Sequence, residues 1–142
     1  FNHGESNAVV KSKATAALEG GLSVIICVGE SELERKAGTA LAAVEEQVVG
    51  SLPEASSSTN TVLAYEPIWA IGSGLIPKES EIFSIVKFIK KKVKGSKVLY
   101  GGSVNTKNIN VLKKIDNVDG FLVGGASQNA KKFIDIVKKT FN

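Results

Sequence analysis

Among these 142 residues cysteine occurs once, arginine once and methionine never. A single thiol, Cys27, excludes an intramolecular disulfide and a thiolate metal cluster, and it fits a reducing, cytoplasmic setting. No apolar run approaches the roughly 18 residues of a membrane span, so no membrane contact is expected. No basic stretch followed by an apolar one opens the chain, so no signal peptide is expected. The lack of methionine also bears on the start. An initiator is rarely trimmed before a side chain as bulky as Phe1, and the sequence reads as a piece of something longer. The near-absence of arginine bears on partners. Residues 1–77 carry four basic and nine acidic side chains, and residues 78–142 carry fourteen and five. A basic half can mark a nucleic-acid surface, but such surfaces favour arginine and exposed aromatics. Here the basic groups of that half are all lysine, placed on outer faces and last turns of expected helices (Lys90 to Lys94, Lys138, Lys139), where they complement the helix dipole. No nucleic acid is expected as a partner, and no metal or cofactor.

What is present is an alternation of patterns. Residues 7–20 place Val10, Ala14, Ala17 and Leu18 on one helical stripe, stopped by Gly20 and Gly21. LSVIICVG (22–29) is a continuous apolar run, as a parallel strand buried on both faces requires. A charged turn and a helix from about Gly38 to Val49 follow, then the polar connection PEASSSTN (53–60) and a strand, TVLAYE (61–66). Pro77 opens a helix to about Lys94 with the stripe Ile82, Ile85, Val86, Ile89 and Val93. KVLYGG (97–102) reads as a strand, NTKNINVLKKI as a helix capped by Asn105 or Thr106, DGFLVGG (119–125) as a strand, and NAKKFIDIVKKTF as the last helix. This α-βα-βα-βα-βα order predicts an α/β fold, four parallel strands in one domain over residues 1–142.

In such sheets function lies at the C-terminal ends of the strands. These ends read Val28-Gly29-Glu30, Glu66-Pro67, Gly101-Gly102-Ser103 and Gly124-Gly125-Ala126. Glycine lets main-chain N–H groups approach an anion, so Gly72, Ser103, Gly124 and Gly125 could hold one phosphate together. Glu66 ends an apolar strand, and partial desolvation makes a carboxylate a better base. From spacing alone, a glutamate satisfied by backbone or lysine is an equal reading. The segment after it shifts the balance. Pro67 stiffens the start, Trp69 is a bulky anchor, and Gly72 and Gly74 flank a small tip, as a lid with two defined ends needs.

AYEPIWAIGSG (64–74), YGGSVN (100–105) and DGFLVGGAS (119–127), in this order and spacing, resemble the triosephosphate isomerase family. ICVGE (26–30) and GES (4–6) match it as well. The resemblance implies a partial (β/α)8 barrel with four parallel strands. It implies a triose phosphate substrate and Glu66 as general base of an aldose–ketose isomerisation. A lid over residues 67–77 would include Pro67, Ile68, Trp69, Ala70, Ile71, Ser73 and Gly74. Gly72, Ser103, Gly124 and Gly125 would grip the phosphate. Cys27 would pack beneath the site, with Glu30 as a supporting group. It also implies a cytoplasmic, normally homodimeric enzyme of glycolysis.

The resemblance starts part-way through the family's fold. The family's electrophilic histidine, its lysine and its interface loop have no counterpart here, and His3, the one histidine, reads as structural. The chain alone is therefore expected to be nearly inactive. Its open sheet edges are expected to self-associate or to pair with the absent N-terminal half. The competing reading is a non-catalytic phosphate-binding half-barrel that self-associates.

Overall fold

The structure is a computed structural model and describes residues 4–141. His3 lies outside the described residues. Four strands form one parallel sheet in sequence order, β1 (Val24–Val28), β2 (Thr61–Tyr65), β3 (Val98–Tyr100) and β4 (Gly120–Phe121). Among the described residues six α-helices accompany them: α1 (Asn7–Glu19), α2 (Glu32–Lys36), α3 (Ala40–Ser51), α4 (Glu79–Lys92), α5 (Ile109–Leu112) and α6 (Ala130–Phe141). The alternating pattern thus yields the α/β architecture that parallel strands require.

The core lies between the sheet and its helices. Ile26, Val28, Leu63, Tyr65, Val98 and Tyr100 alternate along β1, β2 and β3 onto one face. They meet Val44 and Val48 of α3 and Ile82, Ile85, Val86 and Ile89 of α4. Each such fully buried aliphatic side chain contributes about 1.5–3 kcal/mol. The other face differs from the expectation for β1. Ile25 is 51 % exposed, and Cys27 is exposed too. The run LSVIICV is buried on one face only, since Ile25 and Cys27 on the other stay exposed. Ala64, paired with Cys27 in the register, is small enough to be covered by its neighbours.

Several boundaries moved for local reasons. The charged stretch after β1 is a helix, α2, because Ser31 forms a capping box with Glu34. The next helix starts at Ala40 and not at Gly38, whose φ of 74° is left-handed. Pro77 precedes α4 by two residues, and the Glu81 carboxylate accepts the Lys78 N–H instead. The helix expected over 105–115 shrinks to Ile109–Leu112. Asn105 Oδ1 accepts the N–H groups of Lys107 and Asn108 and holds a turn there. Strand β4 keeps two residues of the seven in DGFLVGG, since it pairs only with Leu99 and Tyr100 of the short β3.

Candidate active site

The registers bring the strand ends level. Val28 pairs with Tyr65 and Tyr65 with Tyr100, so Gly29, Glu66 and Gly101 stand side by side one residue beyond. Glu66 is half-buried, and its N–H donates to the Val28 carbonyl at 2.8 Å. Glu66 lines two cavities. The smaller, about 430 Å³, also touches Cys27, Gly29, Gln47 and Glu5. The larger, about 740 Å³, is lined by Gly72, Gly101, Ser103, Gly124, Gly125, Lys107 and Lys132 among others. Cys27 shares the smaller cavity with Glu66. It sits on the open face, where crowding by the sheet and then the Glu66 charge push its thiol up to about 12.

The larger cavity gathers the four residues of the expected phosphate grip. Among the described residues, the backbone N–H groups of Gly72, Ser103, Gly124 and Gly125 donate no hydrogen bond. Unspent donors around a space are what an oxyanion takes. At Gly72 and Gly74 the φ angles of 64° and 79° demand glycine, and they turn the backbone of the loop tip.

The loop after Glu66 is tied down at defined points. Ile68–Ala70 forms a 3-10 turn. The Ile68 N–H donates to the Glu30 carbonyl at 3.0 Å, and Trp69 Nε1 donates to Glu30 Oε1 at 2.9 Å. Further on, Ser103 Oγ donates to the Ala70 carbonyl at 2.7 Å and accepts the Gly74 N–H at 3.1 Å. The Ser103 hydroxyl thus belongs to the loop, which leaves its main chain for an anion. Pro67 and Ala70 are buried, whereas Ile71, Ser73 and Gly74 are exposed.

Glu30 is fully buried and anchors more than the sequence suggested. Its Oε1 accepts Arg35 Nε at 3.0 Å, Arg35 Nη2 at 2.7 Å, the Tyr65 hydroxyl at 3.2 Å and Trp69 Nε1. Arg35 reaches on to Glu81 at 3.4 Å. Burial first, then the Glu30 charge, push the pKa of both Tyr65 and Tyr100 up, so both hydroxyls stay neutral. Tyr65 donates to Glu30, whereas the Tyr100 hydroxyl is buried without a hydrogen-bond partner among the described residues. Sequence reasoning passed over Arg35, although a sole arginine five residues after a glutamate at a strand end was a usable signal. It also passed over Gln47, whose amide bonds both the N–H and the C=O of Gly29, at 2.8 and 2.9 Å. No local pattern marks that pairing.

This geometry now meets known proteins. The family model described as Triosephosphate isomerase matches residues 1–140. The chain belongs to the triosephosphate isomerase family. The triosephosphate isomerase of Rhodopseudomonas palustris (strain BisA53) is 45% identical over 143 residues, which cover 95% of this chain and 56% of that protein. The triosephosphate isomerase of Bradyrhizobium diazoefficiens is 44% identical over 145 residues, covering 96% and 58%. The crystal structure of triosephosphate isomerase from Bartonella henselae superposes with a TM-score of 0.90 at 34% identity, covering 99% of this chain and 59% of that one. The chain therefore has the fold of part of a TIM barrel, and it spans little more than half the length of the triosephosphate isomerases it matches. Among the described residues no helix is long and apolar enough to cross a membrane, and no cluster of His, Cys, Asp and Glu is placed to hold a metal ion.

Proposed function

We propose that this chain carries the base and the phosphate grip of a triosephosphate isomerase, which interconverts dihydroxyacetone phosphate and glyceraldehyde 3-phosphate. The observation that carries the reading is the 740 Å³ cavity, which is lined by Glu66 together with Gly72, Ser103, Gly124 and Gly125, four residues whose N–H groups donate no hydrogen bond among the described residues. The N–H groups of Gly72, Ser103, Gly124 and Gly125 hold the phosphate. Glu66 takes a proton from one carbon and returns it to the neighbouring carbon through an enediol. Residues 67–77 act as the lid, and Glu30 supports its first turn through Trp69.

The charge that develops on the substrate oxygen needs donors too. In the family a histidine and a lysine supply them, and neither has a counterpart in this sequence. Missing donors of this kind cost about 2.7–4 kcal/mol each, so the chain alone is nearly inactive. As one partial barrel domain it works as part of a cytoplasmic, homodimeric enzyme of glycolysis and gluconeogenesis, or pairs with an N-terminal portion that completes the barrel. The open sheet face favours a second reading, a phosphate-binding half-barrel that self-associates without catalysis.

The test is a coupled isomerase assay on the purified chain, alone and mixed with the N-terminal portion of a relative, with Glu66→Ala beside it. Turnover that appears only in the mixture and vanishes in the variant supports the proposal. Turnover by the chain alone defeats the claim of near-inactivity. No turnover in either, with phosphate still bound, leaves the second reading.

A further inference from the structure

Two glycines flank Glu66, and neither is required by backbone conformation, since the φ of Gly29 and of Gly101 is not left-handed. What both supply is space. A Cβ on Gly29 would lie 1.8 Å from the Glu66 carbonyl oxygen, so no side chain fits there while β1 and β2 stay paired. A Cβ on Gly101 would meet the side chain of Glu66 itself. It would lie 2.6 Å from Cγ, 2.7 Å from Oε1 and 3.1 Å from Cδ. Gly101 cannot back away, because its N–H donates to the Tyr65 carbonyl at 2.9 Å. Nor can the Glu66 backbone, held by its 2.8 Å bond to Val28 and pressed against Gly29. The clash could be relieved only by moving the carboxylate.

The direction of that movement matters, because Glu66 borders both cavities while Gly101 borders only the larger one. We propose that Gly101 is a positioning residue, whose missing side chain leaves the space in which the Glu66 carboxylate turns toward the four N–H groups. A side chain at 101 drives the carboxylate toward Cys27 and the smaller cavity. This rests on Glu66 being the base, and it gives one strand-end glycine a task apart from gripping phosphate.

The test is a double-mutant cycle that needs no turnover, so it can fail independently of the isomerase reading. Stability is measured by urea unfolding for the chain, Gly101→Ala, Glu66→Ala and the double variant. Overpacking shifts the unfolding equilibrium at least about fivefold. That loss is expected in the Glu66 background and should nearly disappear in the E66A background, where Cγ, Cδ and Oε1 are gone. Gly102→Ala is the control, because its Cβ would lie 2.2 Å from the Tyr100 hydroxyl, and its loss should not depend on Glu66. A G101A chain that folds only with E66A supports the proposal. Equal loss in both backgrounds, or failure to fold in both, overturns it. In the spectrum of 13C-labelled glutamate, the Glu66 Cδ resonance should move in G101A and hold in G102A. An unmoved resonance in folded G101A also overturns the proposal.

Discussion

Arg35 is 20% exposed through its side chain and Glu30 not at all. Two guanidinium hydrogen bonds to one buried oxygen make their pairing much stronger than a surface ion pair. Arg35→Leu leaves Glu30 buried beside Tyr65 and Trp69 with no counter-charge. It should cost about 3–5 kcal/mol in urea unfolding, far above the range of about 0–1 kcal/mol expected for the exposed Lys36–Glu32 pair. A loss near that lower range would mean the Glu30 charge is not held as the geometry shows. Ser31 gives a test through pH. Hydrogen bonds from Ser31 hold the Glu34 carboxyl below its ordinary value of 4.5. A lowered folded value contributes stability that is present above 4.5 and lost as pH falls through the folded value. The stability difference between the chain and Ser31→Ala should therefore be level near neutrality and shrink on acidification below 4.5. A difference independent of pH would show that the bond from the Ser31 hydroxyl to the Glu34 carboxylate contributes nothing to it. Glu66 was legible as a site residue because a charge stood between an apolar strand and a glycine-rich loop. Arg35 and Gln47 were not, since their partners are brought near by packing.

At the scale of elements, the lid is held by side chains from two different strand ends, Glu30 after β1 and Ser103 after β3. Ser103→Ala removes the bonds to Ala70 and Gly74 together. With each bond worth about 1 kcal/mol net, hydrogen exchange at the Gly74 amide should speed up at least about tenfold, while amides in α4 should keep their protection. Unchanged exchange in the lid would show that Glu30 alone holds it. The long amphipathic helix α4 was readable because Ile82, Ile85, Val86 and Ile89 repeat at helical spacing and are all buried. Helices α2 and α5 were misjudged because side chains of Ser31 and Asn105 compete locally with, or start, a helix. Such contests are settled by one or two hydrogen bonds that periodicity does not register.

The whole molecule leaves apolar surface uncovered. Ile25 on the open sheet face is 51% exposed, and on α6 Phe133, Ile134 and Phe141 are 41, 50 and 84% exposed. Exposed apolar side chains at both ends of the sheet favour self-association. Sedimentation at micromolar concentration should give a mass that rises with concentration above the 15.0 kDa of one chain, and Ile25→Lys should lower it without unfolding the chain. A clean monomer would show that the open face tolerates water. By itself the sequence determined the α/β alternation, the strand-end glycines, Glu66 and its loop. These are local patterns, set by side-chain periodicity and by the backbone freedom of glycine. Only the tertiary structure decided which strand ends stand level, that Cys27 is exposed, that Ser103 spends its hydroxyl on the loop, and that Glu30 is neutralised by Arg35. Those depend on register and on distances between residues far apart in the chain, which pairing and packing fix and spacing along the sequence does not.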